Sequence, residues 1–417
     1  MTVMRKIKTQ VVVIGAGPSG SIAAALLHKK GVEVRVIEKS VFPRFSIGES
    51  LLPACMEVVE QAGMTEAVKS AQFQYKDGAA FRKRGVYTAF DFQDKFSKGP
   101  GTTFQVQRGT FDKVLADEAQ NQGVAIDYQH ELIDIRFTDQ HAILDVQPEG
   151  EDAYQIEADY VLDGSGFGRV LPKMLNLEEP SSLPPRKAVF THIKDNIDLA
   201  EHGLEYDRNK ILISVHPINP DVWYWLIPFS NGVSSFGVVG EPSFFENYPE
   251  DKIALLKQVA SEEPGLANIL SQAEYSNPAG EIGGYSANVK HLATDRYALL
   301  GNAGEFLDPV FSSGVTIAMK SAEYAVDCVA RHVNGEEVDW DKEYAQPLMK
   351  GVDTFRTYVE GWYSGSLQDV IFYEKPNPKI KQMVCSILAG YAWDESNPYV
   401  KESQRRLSAL AELCQES

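Results

Sequence analysis

The 417-residue chain holds only four cysteines, at positions 55, 328, 385 and 414. They share no CxxC spacing and no histidine sits at a ligand-like interval, so neither a disulfide framework nor a metal site is expected. Reduced thiols fit a cytoplasmic location. Basic residues are also scarce: 40 Lys and Arg against 58 Asp and Glu give a net charge of −18. No broad basic surface is available, which excludes a phosphate-backbone partner such as nucleic acid. Long hydrophobic runs are missing too. After the basic start MTVMRKIKTQ, only Val11 to Ile14 are continuously apolar before glycines intervene. That is too short for a secretory leader, and no stretch reaches the length of a membrane span, so no stable membrane insertion is expected. Internal repeats and low-complexity linkers are absent.

What remains is an ordinary globular composition, 44% hydrophobic and 24% charged, in a chain long enough for two or three associated lobes. The first fifty residues read as strand, glycine turn, helix and strand: TQVVVIGAG, SGSIAAALLHKKG and VEVRVIEKS. Gly15, Gly17 and Gly20 form GxGxxG at the strand-to-helix turn, with Pro18 and Ser19 opening the helix. The first glycine permits the tight turn, the second lets backbone approach a pyrophosphate, and the third lets helix pack on strand. Glu38 ends the second strand, where a carboxylate can accept from a ribose hydroxyl, which favours FAD or NAD over NADP. Between about 180 and 290 the text changes to strand-like runs, including VWYWLIPF and VSSFGVVG. Period-two alternation puts Trp223, Trp225 and Ile227 on one face of a strand and Val222, Tyr224 and Leu226 on the other, both apolar. Helical and aromatic segments follow to the C-terminus.

Two further segments, YVLDGSGFGR with Asp163-Gly164 and YALLGNAGEFLDP with Gly301-Asn302 and Asp308-Pro309, complete a pattern with the N-terminal fingerprint. In that combination the chain resembles the FAD-dependent monooxygenase-like superfamily over residues 10 to about 330. That superfamily includes aromatic hydroxylases, geranylgeranyl reductases and flavin-dependent halogenases. The resemblance implies an α/β fold of the glutathione-reductase-2 type, with a Rossmann-like FAD-binding domain at 1–175 and 285–335. An inserted antiparallel-sheet substrate domain is expected at 176–284 and a helical C-terminal segment at 336–417. It implies FAD as cofactor, held by the fingerprint residues and Glu38 together with Lys39, Arg44, Ser50, Arg108, Asp163, Gly164, Gly301, Asn302, Asp308, Pro309, Ser313, Gly314 and Val315.

Three segments resemble the halogenase branch in particular. FPRFSIGESLLP carries Glu49 in a Gly-Glu-Ser-Leu stretch that lies beside the flavin in those enzymes. FQYKDGAAF places Lys76 in a Lys-x-Gly-x-x-Phe pattern whose lysine is catalytic there, and WYWLIP matches their Trp-x-Trp-x-Ile-Pro signature. The resemblance implies reduced FAD, O2 and a halide ion acting on an electron-rich aromatic substrate, with Lys76, Glu49, Trp223 and Trp225 as catalytic candidates. A lysine in a partly buried passage is expected to have a lowered pKa. Reduced flavin would come from a separate reductase. Two other readings share most of these motifs: a reductase or dehydrogenase of the geranylgeranyl-reductase type acting on isoprenoids, and an aromatic hydroxylase. A flavin-binding sensor without turnover is a fourth.

Overall fold

The computed structural model describes residues 5–198 and 205–416. Val11 to Ile14 are all buried, the continuous apolar run of a strand covered on both faces rather than one. They form the end of strand Lys6–Ile14, at the heart of a seven-stranded sheet. Ala125–Tyr128, Val34–Glu38, Lys6–Ile14 and Tyr154–Asp163 run parallel in that spatial order. Strand Tyr154–Asp163 then splits its second edge. Its first half pairs antiparallel with Ala142–Pro148, and its last three residues pair parallel with Tyr297–Leu299. His130–Phe137 closes the sheet beyond Ala142–Pro148. Helices Pro18–Lys29 and Ser313–Val333 pack together on one face.

A second seven-stranded sheet takes Gly280–Gly283, Lys187–Lys194, Val233–Gly240, Trp223–Pro228, Lys210–Val215, Gly78–Lys83 and Val86–Asp91, in that order. Every pairing is antiparallel except Lys210–Val215 with Gly78–Lys83. Two strands of this sheet, Gly78–Lys83 and Val86–Asp91, come from outside the span 176–284. They form a hairpin whose two-residue turn has Arg84 at φ 49° and Gly85 at φ 83°, both in the left-handed region that such turns require. A Cβ on Gly78 would stand 2.1 Å from Phe90 O, so only glycine allows this approach.

The strand Trp223–Pro228 is buried at every position. Trp223, Trp225 and Ile227 join the core shared with the first sheet, while Tyr224 and Leu226 join a separate core under helices Lys252–Glu262 and Pro264–Ile269. Period-two alternation thus divides one strand between two cores. The C-terminal part is helical: Gln346–Ser364, Ser366–Ile371, Pro378–Leu388, Pro398–Lys401 and Ser403–Glu416. The first of these brings Trp362 against Phe81 and Phe311. No described helix is long and apolar enough to cross a membrane.

Candidate active site

A cavity of about 870 Å³ runs from the glycine turn to the tryptophan strand. At its first end lie Gly15, Gly17, Pro18 and Ser19, where helix Pro18–Lys29 begins without a side-chain cap and its N-terminus favours an anion. A Cβ on Gly17 would meet only the flexible end of Arg44, at 3.6 Å. The space in front of that backbone is therefore open to a ligand. Gly20 does something different: a Cβ there would lie 1.9 Å from Gly15 O, so it serves the turn and does not reach the cavity.

Glu38, 5% exposed, accepts from Ala16 N and Ser40 N at 2.8 Å each. A carboxylate has about four acceptor sites, so capacity is left for a hydroxyl in the cavity. Lys39 and Arg44 line the same end. Arg108 is locked by a bidentate pair with Asp112, at 2.7 and 3.1 Å, and donates to Ile47 O at 2.6 Å. This fixes the Ile47–Gly48 backbone against the wall.

Several anticipated residues act from behind the wall. Asp163 is fully buried, and its oxygens accept from Ser165 N and Leu171 N at 2.9 and 2.7 Å. It therefore holds the loop that presents Gly164 to the cavity. Gly301, at φ 50°, donates its amide N–H to Ser321 Oγ at 2.9 Å and leaves the wall to Asn302. Arg169, a residue the sequence did not flag, clamps that turn by donating to Asn302 O at 3.0 Å. Asp308 also faces away: Oδ1 accepts from Val310 N, and Oδ2 accepts from Tyr363 OH at 2.8 Å and Tyr285 OH at 3.4 Å. Burial pushes its carboxyl up to about 6. Pro309, Ser312, Gly314 and Val315 line the cavity, with Ser313 buried at the start of the helix between them.

The second end is aromatic. Trp223, Trp225, Ile227, Ile211 and Phe190 form its wall. Both indoles are anchored from behind, Trp223 Nε1 donating to Tyr363 OH at 3.1 Å and Trp225 Nε1 to Ser235 Oγ at 3.0 Å. Glu49 and Ser50 close the side of this end. Lys76 stands behind Ser50 and does not line the cavity. Its Nζ donates to Ser50 Oγ and Leu51 O, both at 2.7 Å, and lies 5.4 Å from the Phe92 ring. The lysine is fully buried, and desolvation lowers its pKa to about 7. Short strands Gln74–Lys76 and Thr103–Gln105, with a bridge from Gln105 to Ser50, hold it there.

With this geometry the comparisons with known proteins agree. The model of an FAD-binding domain matches residues 8–234. The chain belongs to the FAD-binding family. Within it, this oxidoreductase falls in the monooxygenase-like superfamily that holds the flavin-dependent halogenases. It is 26% identical to a 1H-pyrrole-2-carbonyl-[peptidyl-carrier protein] chlorinase of Pseudomonas fluorescens, over 96% of this chain and 93% of the relative. To the corresponding brominase of Pseudoalteromonas luteoviolacea it is 27% identical, over 92% of each. Among solved structures, a flavoprotein/dehydrogenase from Cytophaga hutchinsonii is 43% identical, with TM-score 0.94 over 98% of this chain and 99% of that one. The flavin-dependent brominase Bmp2 shares the fold at TM-score 0.84 and 22% identity, over 98% of this chain and 100% of that one. The cofactor of this FAD-binding oxidoreductase is FAD. The open face of Gly17, the spare acceptor capacity of Glu38 and the length of the cavity fit that molecule.

Proposed function

We propose that the protein is a halogenase-like enzyme that uses reduced FAD, O2 and halide on an electron-rich aromatic ring. The observation that carries this reading is the position of Lys76, fully buried and near-neutral, one serine behind the wall formed with Trp223 and Trp225. In this reading Gly15, Gly17, Ser19 and Glu38 hold the nucleotide half of FAD, and Arg108, Asn302, Pro309, Gly314 and Val315 hold the flavin half. FAD supplies the two-electron chemistry. The protein's own contribution is to exclude water with an apolar aromatic wall and to offer Lys76 Nζ as a proton carrier of tuned pKa. Lys76 does not reach the cavity itself, so in this reading it acts on the oxidant through the Ser50 hydroxyl to which it donates. Reduced FAD would be delivered by a separate reductase.

The test supplies chemically reduced FAD, O2 and bromide with a panel of phenols, pyrroles and indoles, and reads products by the bromine isotope pattern. Brominated product in the wild type, lost in Lys76→Ala, is expected. Product that persists at the wild-type rate in Lys76→Ala would remove the lysine from the chemistry. A second reading, an FAD-dependent dehydrogenase or reductase, is supported by the name of the 43%-identical Cytophaga structure. It predicts anaerobic bleaching of bound FAD by a saturated substrate and no bromination.

A further inference from the structure

Glu49 and His192 make an acid–base pair at the aromatic end of the cavity. Glu49 is 2% exposed and lines the cavity. Its Oε1 lies 2.7 Å from His192 Nε2, while Oε2 is buried with no hydrogen-bond partner among the described residues. A buried carboxylate oxygen left bare is costly, so a donor is expected to arrive with the ligand. His192 lies on the second sheet, on strand Lys187–Lys194, and its side chain keeps 21% of its surface exposed. Its ring meets Phe229 and the 63%-exposed Phe45 edge-on. The pair therefore spans from solvent, beside Phe45, to the interior.

The surrounding charges are engaged elsewhere. Arg44 and Arg108 face Asp112. Glu281 on the adjoining strand meets Lys187 and Lys252, Lys194 meets Glu274, and Arg208 meets Asp195 while donating to Phe229 O. Lys76 is turned to Ser50 and Leu51.

We propose that His192 and Glu49 are a proton relay between solvent and the aromatic end of the cavity, delivering from the position that Glu49 Oε2 now occupies. This goes beyond the halogenase-like reading and rests on it only for the identity of the oxidised product. In that reaction, anionic reduced FAD, O2, one halide ion and two protons give FAD, hypohalous acid and water. Oxygen takes four electrons, two from FAD and two from the halide, and the relay supplies the protons. Without halide, anionic reduced FAD, O2 and one proton give FAD and hydrogen peroxide, so the relay serves that reaction too. In the relay, the Nε2–H bond of the His192 imidazolium breaks as an O–H bond forms on Glu49 Oε1. Rotation about the terminal carboxyl torsion, which is broad and two-fold, presents the proton to the cavity. After delivery the carboxylate again accepts from a reprotonated His192.

The experiment follows reoxidation of the reduced holoprotein by O2 without halide across a series of pH values. Wild type, Glu49→Gln, His192→Gln and His192→Ala are compared in H2O and D2O. Binding of FAD to each apoprotein is measured separately by flavin fluorescence. Reoxidation slowed about tenfold or more in the variants, as for loss of a general acid, is expected, with loss of the pH dependence and of the solvent isotope effect. FAD affinity should stay within about threefold, and added imidazole should restore His192→Ala. The reduced-minus-oxidised infrared spectrum should contain a carboxyl band that vanishes in Glu49→Gln. Unchanged pH profiles in both glutamine variants would overturn the relay. So would slowing that is uniform with pH and matched by weakened FAD binding, the mark of a packing role. A wild type that fails to brominate but keeps the relay signature would sink the halogenase-like reading and leave the relay standing.

Discussion

The two ends of the cavity are built by different means. At the nucleotide end the wall is mostly backbone: a glycine turn and a helix N-terminus, with Glu38 tied to the amides of Ala16 and Ser40. At the aromatic end the wall is side chain, and its parts come from segments far apart in sequence: Glu49, Phe190, Ile211 and the tryptophan strand. Behind it stand Lys76, His192 and Tyr363. A backbone site tolerates few residue types, because a single Cβ closes it. A side-chain site depends on packing and on which donors are already committed, so its chemistry can change while its motifs stay.

The sharpest way to break the comparison is at the glycines. In Gly20→Ala the new methyl would stand 1.9 Å from Gly15 O, a backbone atom that cannot swing away. A loss of at least about 3 kcal/mol in stability is expected, at the upper end of overpacking effects, with melting lowered even in the apoprotein. Gly17→Ala should behave differently, since its methyl meets only the Arg44 side chain. There the apoprotein should melt as wild type while FAD affinity falls at least about tenfold. Chemical denaturation of the apoproteins and flavin fluorescence titration check both. Equal apoprotein stabilities for the two variants would erase the distinction between packing glycine and ligand-facing glycine.

The next effect lies at the other end. Burial lowers the pKa of Lys76 to about 7 in the fold, against about 10.4 in an unfolded chain. Between those values the unfolded state binds more protons, so this group makes stability rise with pH. The cost of Lys76 is fully present below about pH 7 and gone above about pH 10. Lys76→Met keeps the volume and removes the titration. Its stability relative to wild type should therefore be more favourable at pH 6 than at pH 9 by about 2.7 kcal/mol. Denaturant melts at the two pH values measure it, and a pH-independent difference would show that Lys76 is not desolvated.

The same contrast explains what could be read from sequence. GxGxxG and Glu38 follow from what a strand-to-helix turn demands of the backbone, while Asn302 and the Pro309 to Val315 turn came from the family resemblance; Gly15, Gly17, Glu38, Asn302, Pro309, Gly314 and Val315 line one cavity. The tryptophan strand was legible as a strand buried on both faces, and its two faces do enter two cores. The hairpin 78–91 was missed as part of the second sheet, since nothing local in Arg84-Gly85 says which sheet a hairpin joins. Asp163 and Asp308 were expected at the cofactor; both are buried behind the cavity wall, where their carboxylates accept from Ser165, Leu171, Val310 and Tyr363. Lys76 could be picked out by its motif but not placed behind Ser50, and His192 carries no motif. Its importance comes from facing Glu49, 143 residues away in sequence.

The smallest expected effect tests how the aromatic wall is tied to the C-terminal helices. Tyr363 OH accepts from Trp223 Nε1 and donates to Asp308 Oδ2, and the Arg186 guanidinium lies 4.0 Å over its ring. Tyr363→Phe keeps the ring and that stacking but strands the indole N–H and strips a donor from a buried carboxylate. The cost should be about 1–2 kcal/mol where Asp308 is ionised. Burial has already raised Asp308 to about 6, and the Tyr363 hydrogen bond opposes that rise. Removing it disfavours the charged form further. A raised acid binds its proton more tightly in the folded than in the unfolded state, so its destabilising influence grows as pH climbs toward about 6 and is complete above it. The penalty of Tyr363→Phe should accordingly be larger at pH 8 than at pH 5, as read from paired denaturant melts. Asp308→Asn should flatten that difference, because an amide there has no charge to lose. If the penalty proved the same at both pH values in an otherwise folded variant, the tie would run through the indole alone, and the carboxylate behind the wall would have no part in holding Trp223 against the cavity.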